Sequence, residues 1–149
     1  MSFAQPSLKG RALRLLSGRE HSRAELESKL KRFEEEPGSL AQALDELQAK
    51  GFIDERRVVD SVLHRRAAKL GAARIRQELT AKGLPPEAIR DAEAALQATE
   101  LERAREVWRK KFGIPPADAS ERGKQQRFLA ARGFAAEVVR RVVSGGPED

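Results

Sequence analysis

Apolar residues recur along this chain at intervals of three and four, and the pattern restarts after nearly every Gly or Pro. Such spacing gathers side chains on one face of a helix. Leu8, Ala12, Leu15 and Leu16 share a face over Leu8 to Ser17. Ser22-Arg23-Ala24-Glu25 has the form of a capping box, a hydroxyl N-cap with Glu at the third helical position. It opens a helix that turns Leu26, Leu30 and Phe33 inward, and Pro37-Gly38 stops that run. Ser39-Leu40-Ala41-Gln42 reads as a second box, followed by Leu40, Leu44 and Leu47, with Gly51 just beyond the helix end. Asp54 caps a helix carrying Val58, Val59, Val62 and Leu63 that runs to near Gly71. Ile75 and Leu79 mark the next, closed by Gly83. Pro86 suits the first turn of the one after it, whose stripe is Ala88, Ile89, Ala92 and Leu96. Thr99-Glu100-Leu101-Glu102 reads as a third box before Leu101, Ala104, Trp108 and Phe112. Phe128 and Leu129, then Val138, Val139, Val142 and Val143, mark a final pair around Arg132-Gly133, before a tail from Gly145 to Asp149 expected to fray. No stretch alternates long enough to predict a strand.

About nine short helices suggest repetition. An offset of 50 residues aligns Leu79 with Leu129, Ala81 with Ala131, Gly83 with Gly133, Leu84 with Phe134, Glu87 with Glu137, Ile89 with Val139 and Arg90 with Arg140. One residue less aligns Val59 with Trp108 and Leu63 with Phe112. The first unit matches more loosely and has a longer second loop, around Glu34 to Gly38. The expected fold is all-α: tandem three-helix repeats in three units, over residues 1–53, 54–98 and 99–149, forming an elongated curved array. Helices of about ten residues are marginal alone but can bury their stripes in threes. Such an array suits binding along a polymer better than enclosing a small molecule.

Composition narrows the chemistry. Cysteine is absent, which removes disulfides and Cys-based zinc sites and fits a reducing compartment. No apolar run approaches the roughly 20 residues that span a bilayer, and Met1 to Gly10 lacks a signal-like apolar stretch, so a cytoplasmic protein without membrane contact is expected. There is no Gly-rich phosphate loop. His21 and His64 are far apart and outside any zinc-ligand spacing. Glu34-Glu35-Glu36 reads as a solvated run. Asp45 with Glu46, or Glu100 with Glu102, could pair for metal-assisted hydrolysis, but Glu102 is accounted for by capping and Glu100 by the helix dipole. With no set of nucleophile, base and orienting group, the expectation is a non-enzyme without cofactor or metal.

The basic residues carry more. The net charge is +6, and Arg outnumbers Lys about two to one. Arg favours planar, two-pronged contact with carboxylate or phosphate. Arg57, Ser61, Arg65 and Lys69 lie four apart, which makes a stripe beside the middle unit's apolar face. Arg66, Arg74 and Arg76 add charge close by, and Lys124 and Arg127 fall near the corresponding places of the third unit. Arg74 with Glu78, and Glu78 with Lys82, are spaced as ordinary helix-surface pairs. The expected binding residues are Arg57, Arg65, Arg66, Lys69, Arg74 and Arg76, with Lys124 and Arg127 secondary. Scarce aromatics argue against base stacking as the main mode of single-strand binding.

Three ordered motifs resemble those of the RecX family. Ala12 to Ser17 with Arg19 to Leu26 and Lys29-Leu30 is similar to its opening motif, and Gly51-Phe52-Ile53-Asp54-Glu55-Arg56 to its next. Gly71 to Leu84 is similar to its central one; Arg127-Phe128-Leu129 and Arg132-Gly133-Phe134 fit the third unit. The chain differs where it carries Val58-Val59 in place of Phe-Ala and Gly18 in place of an Arg. The resemblance implies tandem three-helix repeats and a regulator that lodges in the groove of the RecA–DNA filament; a monomer is expected. It would touch the DNA phosphate backbone without sequence preference, and inhibit recombinase, ATPase and co-protease activities by blocking filament growth or destabilising it. Read from the residues alone, a helix-turn-helix-like DNA-binding repressor and a scaffold for another acidic partner are the alternatives.

Overall fold

The computed structural model describes residues 5–145. They form nine α-helices and no strand: α1 (Leu8–Gly18), α2 (Arg23–Leu30), α3 (Ser39–Ala49), α4 (Glu55–Arg66), α5 (Ala72–Ala81), α6 (Pro86–Ala98), α7 (Glu100–Lys111), α8 (Ala119–Ala131) and α9 (Ala136–Val143). A single 3₁₀ turn, Lys31–Phe33, extends α2. Apart from Gly145, the tail expected to fray lies outside the described residues.

The helices pack in consecutive threes, and within each three every helix touches both others. The buried residues fall into three separate clusters. Leu26, Leu30, Leu44, Leu47 and Ile53 lead the first; Val58, Val62, Ile75, Leu79 and Leu96 the second; Ala104, Leu129, Phe134, Val139 and Val142 the third. Between threes, the main helix–helix contact is α6 on α7. The accessible surface is 9838 Å², against roughly 7,500 Å² expected of a compact monomer of 16.5 kDa. Three small cores in series explain the excess.

Local chemistry sets the helix ends. Ser22 forms the capping box: its hydroxyl accepts from the Glu25 N–H, and the Glu25 carboxylate accepts from the Ser22 N–H at 3.0 Å. Asp54 caps α4 through the Arg56 N–H at 2.9 Å, and Pro86 occupies the first turn of α6. Gly83 and Gly133 end α5 and α8 with φ of 73° and 91°. The next residues, Leu84 and Phe134, donate back to the carbonyls of Leu79 and Leu129, which is the closure expected of a left-handed C′ residue.

Two expected boxes do not form. Gly38, at φ 88°, is the N-cap of α3, so Ser39 falls inside the helix. The Ser39 hydroxyl donates to the Glu36 carbonyl, and the Glu34 carboxylate caps the Leu40 N–H instead, at 2.8 Å. Thr99 alone separates α6 from α7, and its near-helical backbone (φ −116°, ψ 6°) never reaches the extended N-cap geometry. Its hydroxyl accepts from Arg103 Nε rather than from the first turn. Nor does α4 run to Gly71. It stops at Arg66 and passes into a turn. There the Arg103 guanidinium draws in the carbonyls of Ala67 and Leu70, at 2.9 and 2.7 Å.

Candidate functional site

The two junctions between threes share one construction. At each, the first turn of an earlier second helix meets the end of the next unit's second helix. At the first junction, the Ser22 hydroxyl donates to the Lys82 carbonyl at the end of α5, and Lys82 Nζ lies 3.6 Å from the Glu25 carboxylate. At the second, the Gly71 N–H donates to the Arg132 carbonyl at 2.8 Å, and Arg74 reaches the Ala131 carbonyl at 2.7 Å. A positive helix start thus faces a negative helix end each time, a favourable dipole alignment. Gly83 and Gly133 permit the approach. An ideal Cβ would fall 2.5 Å from Ala24 Cβ at the first and 2.4 Å from Arg74 Cγ at the second.

Glu100 and Arg103 hold the second junction. Glu100 is buried, and its two oxygens accept from the N–H groups of Ala72 (2.7 Å) and Ala135 (3.5 Å), so one carboxylate serves the starts of α5 and α9. Arg103 joins the Leu96 carbonyl at the end of α6 to those of Ala67 and Leu70. Burial pulls the Arg103 pKa below its ordinary value, and the Glu100 charge works against that. Sequence reasoning assigned neither role. The signal was present: Glu100 stands four residues from both Leu96 and Ala104, a charge on an apolar stripe.

The expected binding residues do not make one continuous stripe. Arg57 stays at the start of α4, where it pairs with Glu20 of the first unit at 2.8 Å and donates to the Gly51 carbonyl at 2.6 Å. Arg65 and Arg66 close α4 and share the Glu78 carboxylate, at 3.2 and 3.1 Å. Glu78 therefore pairs across helices, while Arg74 and Lys82 serve the junctions; the two helix-surface pairs expected within α5 are not formed. Lys69 sits in the turn after α4, off the helical stripe. Arg76 lies 3.6 Å from Glu93 of α6. Lys124 and Arg127 are exposed on α8, and neither has an ion pair among the described residues.

Instead, cations from several elements gather around one cleft. A cleft of 440 Å³ at the first junction is lined by Arg19, Arg65, Arg66 and Lys82 with Glu20 and Glu78, and Glu25 beside it pairs with Arg19 at 2.7 Å and with Lys82 at 3.6 Å. Arg57 borders it through Glu20. Arg19 and Lys82 are members that the sequence pattern did not supply, because the fold brings them from two other helices. A second cleft, of 660 Å³, spans the other junction and holds one cation, Arg76, with the carboxylates of Glu93 and Glu100. Exposed pairs such as Arg65–Glu78 are held by about 1 kcal/mol or less. An incoming anion can therefore recruit guanidinium N–H groups that the internal carboxylates leave unused. Among the described residues, no cluster of three or more His, Asp or Glu could hold a metal ion. No described helix is long and apolar enough to cross a membrane.

Models of the first, second and third three-helix domains of RecX match residues 9–47, 54–92 and 98–143. The regulatory protein RecX of Leptothrix cholodnii is 58% identical over 93% of this chain and 88% of its own length. That of Ralstonia nicotianae is 48% identical over 93% and 87%. The crystal structure of RecX from Lactobacillus salivarius shares the fold with a TM-score of 0.78 at 17% identity, covering 93% of each chain.

Proposed function

Because the chain belongs to the RecX family of regulatory proteins, we propose that it binds the RecA–DNA filament and lowers its recombinase, ATPase and co-protease activities. It does so by blocking filament growth or destabilising the filament, as a monomer in the cytoplasm. The observation that carries this reading is the first-junction cleft, which gathers cations from three elements: Arg19, Arg65, Arg66 and Lys82. A filament offers both acidic protein faces and DNA phosphate. The cleft's surplus guanidinium donors suit either one, and they discriminate charge and planarity rather than base sequence.

Three units in series reach further than one. Contacts at both ends of the array reinforce each other through effective concentration, so weak individual contacts suffice. Arg57, Arg65, Arg66 and Lys69 form the main contact in this reading. Arg74 and Arg76 extend it to the second junction, and Lys124 and Arg127 to the third unit. Arg74 has a structural duty as well, so it is a poor probe of binding.

The test is the triple substitution R65E/R66E/K69E. All three side chains are exposed, and their loss leaves the helical signal in circular dichroism unchanged. The concentration needed to halve DNA-dependent ATP hydrolysis by RecA rises about tenfold or more, since like charges now face the partner. Inhibition equal to that of the parent would remove the cluster from the mechanism.

A further inference from the structure

Arg57, Arg65, Arg66 and Arg76 of the middle unit pair with the chain's own carboxylates; the cations at the outer end of the first unit do not. Arg11, Arg14, Lys29 and Arg32 surround a cleft of 370 Å³ between α1 and the end of α2, with Leu30 and Phe33 among its apolar lining. None of the four has an ion pair among the described residues, whereas Arg57 has two and Arg65, Arg66 and Arg76 have one each. Arg11 has only the Gln5 amide oxygen, at 3.4 Å, and Lys29 only the His21 ring, at 3.1 Å. Glu35 and Glu36 border the adjoining cleft beside Arg11 and Arg32 without forming an ion pair to either.

From this we infer a second docking site, for an acidic peptide segment of a partner protein: two or more carboxylates flanking one apolar side chain. Charge complementarity selects the acid, and the apolar lining selects its neighbour. Nucleic acid fits less well. The Arg11 and Arg32 guanidiniums already lie over the Phe33 ring, 3.7 and 4.6 Å from its centroid, so a base would have to displace them to stack. A guanidinium laid on a ring still presents its N–H edge to a carboxylate. The site stands apart from the junction cleft and does not depend on recombinase inhibition.

Fluorescence anisotropy with the full chain and no recombinase tests it. The probe is a fluorescein-labelled peptide with two Asp-Asp-Phe repeats, and its control has Asn in place of Asp. The acidic peptide binds saturably and the control does not. R14Q/R32Q, which changes two exposed side chains, weakens binding about tenfold, while R90Q/R122Q, two exposed arginines that line neither this cleft nor the junction clefts, changes it less than twofold. Thermal melts of each variant report on folding. The inference is overturned if the acidic peptide does not saturate, or if R14Q/R32Q binds it like the parent. It is also overturned if that variant loses affinity for labelled oligo-dT while holding the peptide unchanged, since the cleft would then be a nucleic-acid site.

Discussion

Glu25 serves two contacts at once: it completes the cap of α2 and faces Lys82 across the first junction. Burial pushes its pKa up, but Arg19, the Ser22 N–H and Lys82 outweigh burial and hold it at about 2, against an ordinary 4.5. A carboxylate depressed in this way stabilises the fold above its unfolded value and loses that contribution as pH falls from 4.5 towards 2. His21, one residue before the cap, acts in the same direction at higher pH. Burial lowers its pKa from 6.5, the Arg19 carbonyl bond opposes this, and the Arg19 and Lys29 charges add to it. Its contribution is complete above 6.5 and declines as pH falls through the lowered value. The chain therefore loses stability stepwise on acidification. E25Q costs about 2 kcal/mol at pH 7 and only a small part of that at pH 2, where the parent's carboxylate is half protonated and most of the linked stability is gone. Urea melts at the two pH values check this; an equal cost at both would show that the Glu25 charge does not matter.

Helix ends decide how the elements join, and there the sequence was only partly readable. Caps contained within one segment were legible: Ser22 with Glu25, Asp54, Pro86, Gly83 and Gly133 sit where their spacing predicts. The false boxes at Ser39 and Thr99 failed because of what lies just outside each motif. Gly38 displaced Ser39, and the near-continuity of α6 and α7 held Thr99 in a helical conformation. The sequence reading explained Glu100 by the helix dipole alone and assigned Arg103 no role, because their partners are remote: Ala67, Leu70 and Ala72 in the middle unit and Ala135 further along the third. E100A leaves the Ala72 N–H, and more weakly the Ala135 N–H, without an acceptor at a buried site. The expected cost is about 2–4 kcal/mol. That lowers the melting temperature by roughly 5–15 °C, with E100Q intermediate because its amide oxygen still accepts one bond. A melt unchanged in E100A would mean that the carboxylate is not what secures α5 and α9 to α7.

At the scale of the molecule, the repeat pattern was legible because its spacing survives in residues such as Leu79 and Leu129, or Gly83 and Gly133. The candidate site was less so. A stripe drawn along one helix became clusters assembled from several, with Arg19 and Lys82 arriving from outside it and Lys69 leaving it. Charge counted along a sequence does not show which cations the fold neutralises. The array buries three small cores and leaves an outsized surface, and the proposed filament binding draws on that surface. The most direct test of that account is DNA-dependent ATP hydrolysis by RecA, titrated with the wild-type chain. A protein that blocks or destabilises the filament suppresses turnover well before it equals the recombinase in number, because one bound array affects more than one subunit. Turnover that stays constant at large molar excess would contradict the account.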